Sequence, residues 1–250
     1  MKKIGYWLYQ PYKFLIFIPL FLVFSLLFSI LAASFSILIN PRVGSFWGAS
    51  WAKFTGYITP MFVTVKGREN IDKNQSYVIV ANHQSGYDIF LLYGWIGIDF
   101  RWIMKKELRK APAIGYASYK VGHIFLDRSS PRAAMESINE AKQKLINGTS
   151  VVIFPEGTRS GSNKMSSFKK GAFKIAFELD LPILPVTLVN THKIYNKGFN
   201  LLPGSVEMHI HKPINTSEYH DRQDELRELT RETIASPLTH KKVEVLTPVG

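Results

Sequence analysis

The hydrophobic positions of this chain fall into two regions with different patterns. Residues 14–39 form an apolar run without a single charge, interrupted only by Pro19 and a few serines. As a helix this run would be about 39 Å long, against roughly 30 Å for the hydrocarbon core of a bilayer. From about residue 62, short apolar runs alternate with amphipathic stretches. The pattern predicts a membrane-embedded segment followed by an α/β domain.

A second, aromatic-rich segment follows the apolar run and bears on its placement in a membrane. The pair Asn40-Pro41 predicts a break between two helices, and residues 46–63 carry Trp and Tyr side chains, which favour the headgroup level. Basic residues stand on both sides of the apolar run, so charge gives no clear orientation. We expect a helical hairpin that dips into one leaflet, with a single membrane span as the alternative. The expected division is a two-helix membrane anchor over residues 1–61 and an α/β domain over residues 62–250.

The second region predicts a sheet covered by helices. The expected strands are residues 62–67, 76–81, 100–104, 122–126, 150–154, 182–188 and 206–211. The expected helices are residues 88–95, 131–146, 170–179 and 217–234. Because strands and helices alternate, the expected fold class is α/β, with a mostly parallel sheet flanked by helices.

Polar clusters follow two of the predicted strands. The segment NHQSGYD (residues 82–88) comes directly after one strand, and PEGTRS (residues 155–160) follows another. Open α/β sheets place their chemistry at such strand exits. His83 can take a proton near neutral pH, and Asp88 can fix its tautomer and stabilise the imidazolium. The plain alternative is that His83 is an ordinary strand-end residue, but two polar exits together favour one site with a base and an anion clamp.

Composition narrows the chemistry, and charge leaves several partners open. Since the chain has no cysteine, a Cys nucleophile, thiolate metal sites and disulfides are excluded. The formal net charge of +12 favours a negative partner, and nucleic acid, anionic lipid and phosphorylated substrates all qualify. Most lysines are expected on solvated faces. Lys105, Arg128 and Arg159 differ, because each follows a predicted strand and the three can converge on a phosphate.

Four segments of the α/β region carry a recognisable set of motifs. They are NHQSGYD (82–88), GHIFLDR (122–128) preceded by KKEL (105–108) and PAIG (112–115), FPEGTRS (154–160) and LPILPV (181–186). In order and spacing they resemble the signature blocks of the glycerolipid acyltransferase family, in the branch that contains the bacterial 1-acylglycerol-3-phosphate acyltransferases. The resemblance covers about residues 63–213, and four blocks in order make it specific.

This resemblance implies a reaction and its catalytic pair. His83 is implied as the general base and Asp88 as the carboxylate that orients it. The base would take the proton of the 2-hydroxyl of a lysophosphatidic acid as that oxygen attacks an acyl thioester. No covalent enzyme intermediate is needed, so Ser85 is expected to be a loop or cap residue.

The resemblance also implies a binding set around this pair. Arg159 is expected to hold the glycerol phosphate together with two other cations, Lys105 and Arg128. In the loop of the third block, Glu156 is expected to brace the structure, and backbone amides near Gly157 and Thr158 to stabilise the oxyanion. The acyl chain is expected in an apolar groove where residues 14–63 meet the sheet domain.

The implied partners are the lipid bilayer, lysophosphatidic acid and a donor, either acyl-CoA or acyl carrier protein. No cofactor, metal or nucleic acid is expected. The implied location is the inner or plasma membrane, with the α/β domain on the cytoplasmic face. Three alternatives stay open: acylation of glycerol-3-phosphate or another lysolipid, a serine lipid hydrolase, and a membrane-tethered nucleic-acid-binding protein. The hydrolase lacks a Gly-x-Ser-x-Gly elbow, and the nucleic-acid reading lacks interleaved aromatics and a recognition helix.

Overall fold

The computed structural model describes residues 2–127, 129–142, 145, 148–196, 198 and 200–239. The helices within these residues are α1 (Lys2–Tyr12), α2 (Ile18–Leu38), α3 (Pro41–Ile58), α4 (Tyr87–Trp95), α5 (Ile114–Val121), α6 (Pro131–Lys142), α7 (Lys170–Leu179), α8 (Thr191–Ile194) and α9 (Gln223–Thr239). The strands are β1 (Met61–Lys66), β2 (Val78–Ala81), β3 (Phe100–Lys105), β4 (Ile124–Leu126), β5 (Ser150–Ile153), β6 (Ile183–Val189) and β7 (Gly204–Ile210).

The strands form one sheet in the order β1-β7-β6-β2-β5-β3-β4. Neighbouring strands are parallel except for β6 and β7, which run antiparallel. The predicted α/β fold with a mostly parallel sheet is thereby confirmed. Because β2 is parallel to both β5 and β6, the carboxyl ends of these three strands meet at one edge of the sheet. We call this the carboxyl edge.

The central strands are buried on both faces because helices cover both. Every residue of β2 and of β5 is buried. Successive side chains of β2 point to opposite faces, so Ile79 joins a core that contains Leu91 of α4, and Val80 joins a second core with Phe173 of α7. Burial on both faces explains why these strands read as unbroken apolar runs.

The N-terminal region is a pair of long helices. A π-helical segment, Lys13–Phe17, joins α1 to α2 without a break. The side chain of Asn40 then accepts a hydrogen bond from the Val43 amide at 3.0 Å and caps α3, with Pro41 in its first turn. Among the described residues, one helical stretch, Tyr6–Leu38, is long and apolar enough to cross a membrane. The placement of these helices in a membrane and the domain boundary at residue 61 stay predictions.

Several elements differ from the sequence prediction, which did not include α1, α5 or α8. Helix α5 is short, eight residues that include Gly115, and its pattern carries little helical signal. The predicted helix 217–234 begins as a short 3-10 turn, Thr216–Tyr219, and continues as α9 from Gln223. In the predicted helix 131–146, residues 143, 144 and 146 lie outside the described residues.

Candidate active site

The loop between β2 and α4 brings a histidine and a carboxylate into direct contact. His83 Nδ1 lies 2.7 Å from Asp88 Oδ2. Asp88 is fully buried in the first turn of α4, whereas 15% of the His83 side chain is exposed. Because an ionised carboxylate only accepts hydrogen bonds, this network assigns the hydrogen to His83 Nδ1 and leaves Nε2 as an acceptor.

Three further donors hold the Asp88 carboxylate in place. Its Oδ2 atom also accepts hydrogen bonds from the backbone amides of Gln84, at 2.6 Å, and Ser85, at 2.8 Å. Its Oδ1 atom accepts one from the hydroxyl of Thr191, a fully buried residue at the start of α8. Since both oxygens are engaged, the carboxylate cannot rotate without breaking hydrogen bonds. The arrangement fixes which oxygen faces His83.

The imidazole of His83 is also held through its face. It stacks on Phe154, with ring centroids 4.1 Å apart and planes 13° from parallel. Phe154 stacks in turn on Trp102, with centroids 6.0 Å apart. The stack and the hydrogen bond to Asp88 together select one ring orientation. A base held in this way loses little freedom on reaching the geometry of proton transfer.

Glu156 joins this loop to the loop that follows β5. Its Oε1 accepts a hydrogen bond from the His83 amide at 2.7 Å, and its Oε2 accepts one from the Ser166 amide at 2.8 Å. The Ser160 amide adds a third link by donating to the His83 carbonyl at 2.8 Å. Burial raises the pKa of the Glu156 carboxyl, and the two amide donors act against this rise. Both of its oxygens are therefore engaged by backbone, between two loops of the carboxyl edge.

The three cations expected at a phosphate differ in position. Arg159 is exposed, and its Nη1 lies 3.7 Å from where a Cβ on Gly86 would stand, beside the loop of His83. Lys105 ends β3 at the carboxyl edge, two strands from β2, and its side chain makes no hydrogen bond or ion pair with the described residues. Arg128 lies outside the described residues. The structure thus brings Arg159 to the histidine loop and places Lys105 at the same edge, at the end of the strand two places from β2.

Gly157 and Thr158, expected to supply oxyanion donors, lie in an exposed turn. Gly157 has a φ of 73°, in the left-handed region that favours glycine, and its amide donates to the Phe154 carbonyl at 3.1 Å. This bond engages the Gly157 amide, whereas the Thr158 amide makes no hydrogen bond within the described part of the chain. A Cβ on Gly157 would lie 2.8 Å from Lys169 Nζ. Lys169 therefore reaches this turn.

An apolar groove of about 460 Å³ lies between the N-terminal helices and the histidine loop. Phe17 and Phe21 line it from the helices, and Tyr87 and Phe90 line it from α4. Arg159 lines the same groove and adds a positive charge to it. The groove therefore has a cation beside the His83 loop and aromatic walls where residues 14–63 meet the sheet domain.

Ser85 is engaged with backbone groups rather than with His83. Its buried hydroxyl donates to the Tyr195 carbonyl at 2.5 Å and accepts a hydrogen bond from the Tyr87 amide at 3.1 Å. These contacts tie the hydroxyl to the loop before α4 and to the Tyr195 backbone, and they do not pair it with His83. Across the described ranges, no group of three or more His, Asp or Glu side chains is arranged to hold a metal ion.

Thr191 is the contact of this site that sequence reasoning missed. It follows β6, and because β6 is parallel to β2, its exit lies at the carboxyl edge beside His83. A signal was present, since NTH (residues 190–192) is a third polar cluster after a predicted strand. The prediction gave this cluster no role, because the fourth motif block ends at Val186, before the end of the strand.

Comparison with known proteins bears on what such a site does. A family model described as Acyltransferase matches residues 62–189, just over half of the chain. The 1-acyl-sn-glycerol-3-phosphate acyltransferase of Borreliella burgdorferi is 31% identical over 195 residues, which cover 76% of this chain and 77% of that protein. A chloroplastic protein of the same name from Arabidopsis thaliana is 37% identical over 172 residues, covering 67% of this chain and 48% of the relative.

Coverage differs between the bacterial and the photosynthetic relatives. The chain spans about half the length of the Arabidopsis protein and of a 35% identical relative from Chlamydomonas reinhardtii. A crystal structure of the 1-acyl-sn-glycerophosphate (LPA) acyltransferase PlsC from Thermotoga maritima superposes with a TM-score of 0.79 at 31% identity. That match covers 95% of this chain and 96% of the Thermotoga chain. The family match and the Borreliella relative together show that this chain belongs to the Acyltransferase family.

Proposed function

We propose that this chain is a 1-acylglycerol-3-phosphate O-acyltransferase. It would move a fatty acyl group from an acyl thioester to the sn-2 hydroxyl of 1-acylglycerol-3-phosphate and so form phosphatidic acid. The observation that carries this proposal is the 2.7 Å contact of His83 Nδ1 with Asp88 Oδ2, which leaves Nε2 as a base in the loop that Arg159 reaches. The named activities of the Borreliella and Thermotoga relatives support the same reaction.

The proposed step needs one base and no covalent enzyme intermediate. Nε2 of His83 takes the proton of the 2-hydroxyl as that oxygen attacks the thioester carbonyl carbon. The tetrahedral intermediate then collapses with loss of the C–S bond, and the imidazolium returns the proton to the leaving thiolate. Between the two transfers, Asp88 stabilises the imidazolium with a charge at hydrogen-bond distance. The products are an ester and a free thiol.

The remaining residues of the site are proposed to bind substrate. Arg159 holds the phosphate of the acceptor, since a guanidinium offers paired donors to a phosphate, and Lys105 and Arg128 add positive charge. The Thr158 amide is the oxyanion donor that we favour in its turn. The aromatic groove takes the acyl chain, whose burial there removes apolar surface from water. Acyl-CoA and acyl carrier protein both suit a basic chain as donors, because each carries phosphate.

We expect Arg159→Ala to raise the KM for the phosphorylated acceptor by about tenfold to a hundredfold and to change kcat little. The substitution removes charge-assisted hydrogen bonds to a phosphate that is bound equally before and during the reaction. Steady-state kinetics with varied lysophosphatidic acid measure the effect. Arg231→Ala is the matched control, since Arg231 bonds Glu228 at the surface of α9. An unchanged KM in Arg159→Ala would remove Arg159 from the phosphate site.

Thr191→Val should lower kcat by about tenfold and leave both KM values unchanged. Valine keeps the shape of the buried side chain and removes only the hydroxyl that donates to Asp88 Oδ1, so the carboxylate loses one of the donors that orient it. Thr191→Ser restores the donor and should restore most of the rate. A kcat equal to that of the unsubstituted chain would exclude this orienting role.

The matched control for Thr191→Val is Thr187→Val. Thr187 lies within β6 and is also fully buried, but its hydroxyl does not contact Asp88. It bonds His211 Nε2 and the Ile234 carbonyl instead, both at 2.8 Å. Its replacement should lower the thermal unfolding temperature and leave kcat unchanged. Equal losses of kcat in the two variants would mean that both act through stability.

We also propose that residues 1–61 hold the domain at one leaflet as a helical hairpin, on the cytoplasmic face of the inner or plasma membrane. Three contacts support this proposal: α3 packs on α4, α2 packs on α5, and at the tip Arg42 Nε lies 3.6 Å from Asp99 Oδ2. A helix that lies along the domain in this way cannot cross the bilayer without drawing polar surface into it. Large apolar side chains of the helices, including Leu22, Val23 and Leu26, stay exposed to receive lipid.

The absence of cysteine makes the topology directly testable. Lys3→Cys and Lys73→Cys, each as the single cysteine, are labelled with a membrane-impermeant maleimide in sealed vesicles. A hairpin returns both ends to the same side, so both positions should react from that side alone. Reaction from opposite sides would establish a single span instead.

The reaction itself is tested with a panel of acceptors. Purified protein is incubated with labelled acyl thioester and with lysophosphatidic acid, glycerol-3-phosphate or other lysolipids, and the products are identified. We expect phosphatidic acid from lysophosphatidic acid. Transfer only to another acceptor would replace the proposed substrate. Release of free fatty acid with covalent fluorophosphonate labelling would indicate a hydrolase, and tight, salt-steep binding to duplex DNA would favour the nucleic-acid alternative.

A further inference from the structure

Residues 106–123 carry an exposed surface with apolar and basic side chains in close alternation. Four large apolar side chains there expose between 44% and 55% of their area: Leu108, Ile114, Tyr116 and Tyr119. Arg109 and Lys120 lie among them. We call these six residues the basic–aromatic patch.

The basic groups of the patch are ordered on its aromatic rings. The Arg109 guanidinium carbon lies 4.1 Å from the centre of the Tyr119 ring. Lys120 Nζ lies 5.4 Å from the centre of the Tyr116 ring and 5.9 Å from that of Tyr119. Cations held over aromatic faces in this way keep their charge at the level of the rings. Tyrosine, lysine and arginine each combine an apolar part with a polar or charged end, so these side chains suit a boundary between lipid and water.

The patch continues the apolar surface of the N-terminal helices. Helix α5, which carries four of the six residues of the patch, packs against α2. At the end of α5, a Cβ on Gly122 would lie 4.0 Å from Cβ of Pro41, at the turn between α2 and α3. The last residues before this turn, Ile37, Leu38 and Ile39, expose 56%, 79% and 58% of their area. Exposed apolar surface therefore extends from the helix turn to the flank of the sheet domain.

The patch also begins at the edge of the sheet that carries the site. Its segment leaves the sheet after Lys105, at the carboxyl end of β3, and β3 is parallel to β5. The loops of His83 and Arg159 leave from the same carboxyl edge. A surface that contacted lipid here would turn this edge toward the leaflet that holds the acceptor.

We propose that the basic–aromatic patch is a second membrane contact, which lies among the headgroups of an anionic leaflet and sets the height of His83 above the lipid. The inference rests on the proposed membrane placement of residues 1–61. Anionic lipid suits the patch better than an acidic protein, because the exposed apolar atoms of Leu108 and Ile114 continue those of the lipid-facing helices. Their depth would be that of an interfacial helix, at the boundary between headgroups and acyl chains.

A spin label on a single cysteine measures this depth. Tyr116→Cys reports on the patch, and Ser217→Cys, at an exposed position in the 3-10 turn beside α9, is the matched control. Both are reconstituted in phosphatidylglycerol vesicles, with an aqueous nickel reagent on both sides of the membrane. The label at 116 should be protected from nickel and accessible to oxygen, and the label at 217 should be accessible to nickel.

Two results would overturn the proposal. In one, the label at 116 is as accessible to nickel as the label at 217. In the other, it becomes protected only when acyl carrier protein is added, which would make the patch a protein-docking surface. Because the depth of the label is measured without turnover, this experiment shows whether the patch contacts lipid, whether or not the chain acylates lysophosphatidic acid.

Charge reversal tests the consequence for the reaction. Arg109→Glu with Lys120→Glu should lower the rate of phosphatidic acid formation on phosphatidylglycerol vesicles by about tenfold and leave the rate in nonionic detergent micelles unchanged. Arg222→Glu with Arg231→Glu makes the same change of net charge near α9 and should leave both rates unchanged. Equal losses on vesicles in the two double variants would show a net-charge effect and reject the patch as a local contact.

Discussion

His83→Ala is expected to lower the rate of acyl transfer by at least about a thousandfold while the chain stays folded and membrane-bound. The substitution removes Nε2, the nitrogen that the hydrogen bond to Asp88 leaves free to accept a proton. The fold should persist, because the buried Asp88 carboxylate keeps three donors, from Gln84, Ser85 and Thr191. Initial rates with lysophosphatidic acid and an acyl thioester, at saturating concentrations of both, measure the loss.

The control for His83→Ala is a histidine away from the site. His220 is exposed and lies beside Phe177, with ring centroids 5.7 Å apart, so His220→Ala should keep the full rate. Thermal unfolding and vesicle flotation should agree for both variants and the unsubstituted chain. A His83→Ala variant that retained a tenth of the rate would exclude His83 as the general base.

The sheet was predictable because its central strands are buried on both faces. A short apolar run such as residues 76–81 must bury nearly all of its side chains, and a strand covered by helices on both faces does so. The antiparallel pairing of β7 with β6 was not predictable in this way. It depends on where the connection through α8 returns the chain, and the pattern of β7 alone carries no direction.

Contacts of the site between residues close in sequence were predictable, whereas contacts that depend on the order of strands in the sheet were not. His83 and Asp88 are five residues apart, so the strand exit and the start of α4 bring them together directly. Thr191 lies 103 residues beyond Asp88, and the two meet only because β6 is paired with β2. Lys105 and Arg159 looked alike in sequence as cations after strands. Sheet order gives them different positions: Lys105 ends β3, two places from β2, whereas the loop after β5 is hydrogen-bonded to the His83 loop through the Ser160 amide.

Asp88→Asn is expected to lower kcat by about a hundredfold to a thousandfold with little change in stability. An asparagine oxygen in the place of Oδ2 can still accept from the amides of Gln84 and Ser85, and its amide group can donate to the Thr191 hydroxyl. The variant therefore keeps the geometry and removes the charge that stabilises the imidazolium. Steady-state kinetics and thermal unfolding, measured together, separate these two effects.

Asp88→Ala provides the contrast, since it removes the acceptor as well as the charge. The buried amides of Gln84 and Ser85 would then lack their acceptor, at a cost of about 1–3 kcal/mol each in unfolding free energy. It should therefore lose both activity and stability, whereas Asp88→Asn loses activity alone. Equal stability losses in the two variants would show that the charge itself holds the loop.

The double variant His83→Ala with Asp88→Asn decides whether the carboxylate acts through the imidazole. If Asp88 serves only to orient and stabilise His83, its charge has no effect on the reaction once the imidazole is removed. Adding Asp88→Asn to His83→Ala should then lower the residual rate by less than about threefold. Independent losses that multiply would instead mean that Asp88 acts on the substrate directly. The 2.7 Å contact and the complete burial of Asp88 favour the first outcome, because a fully buried carboxylate has no exposed surface with which to contact a bound lipid.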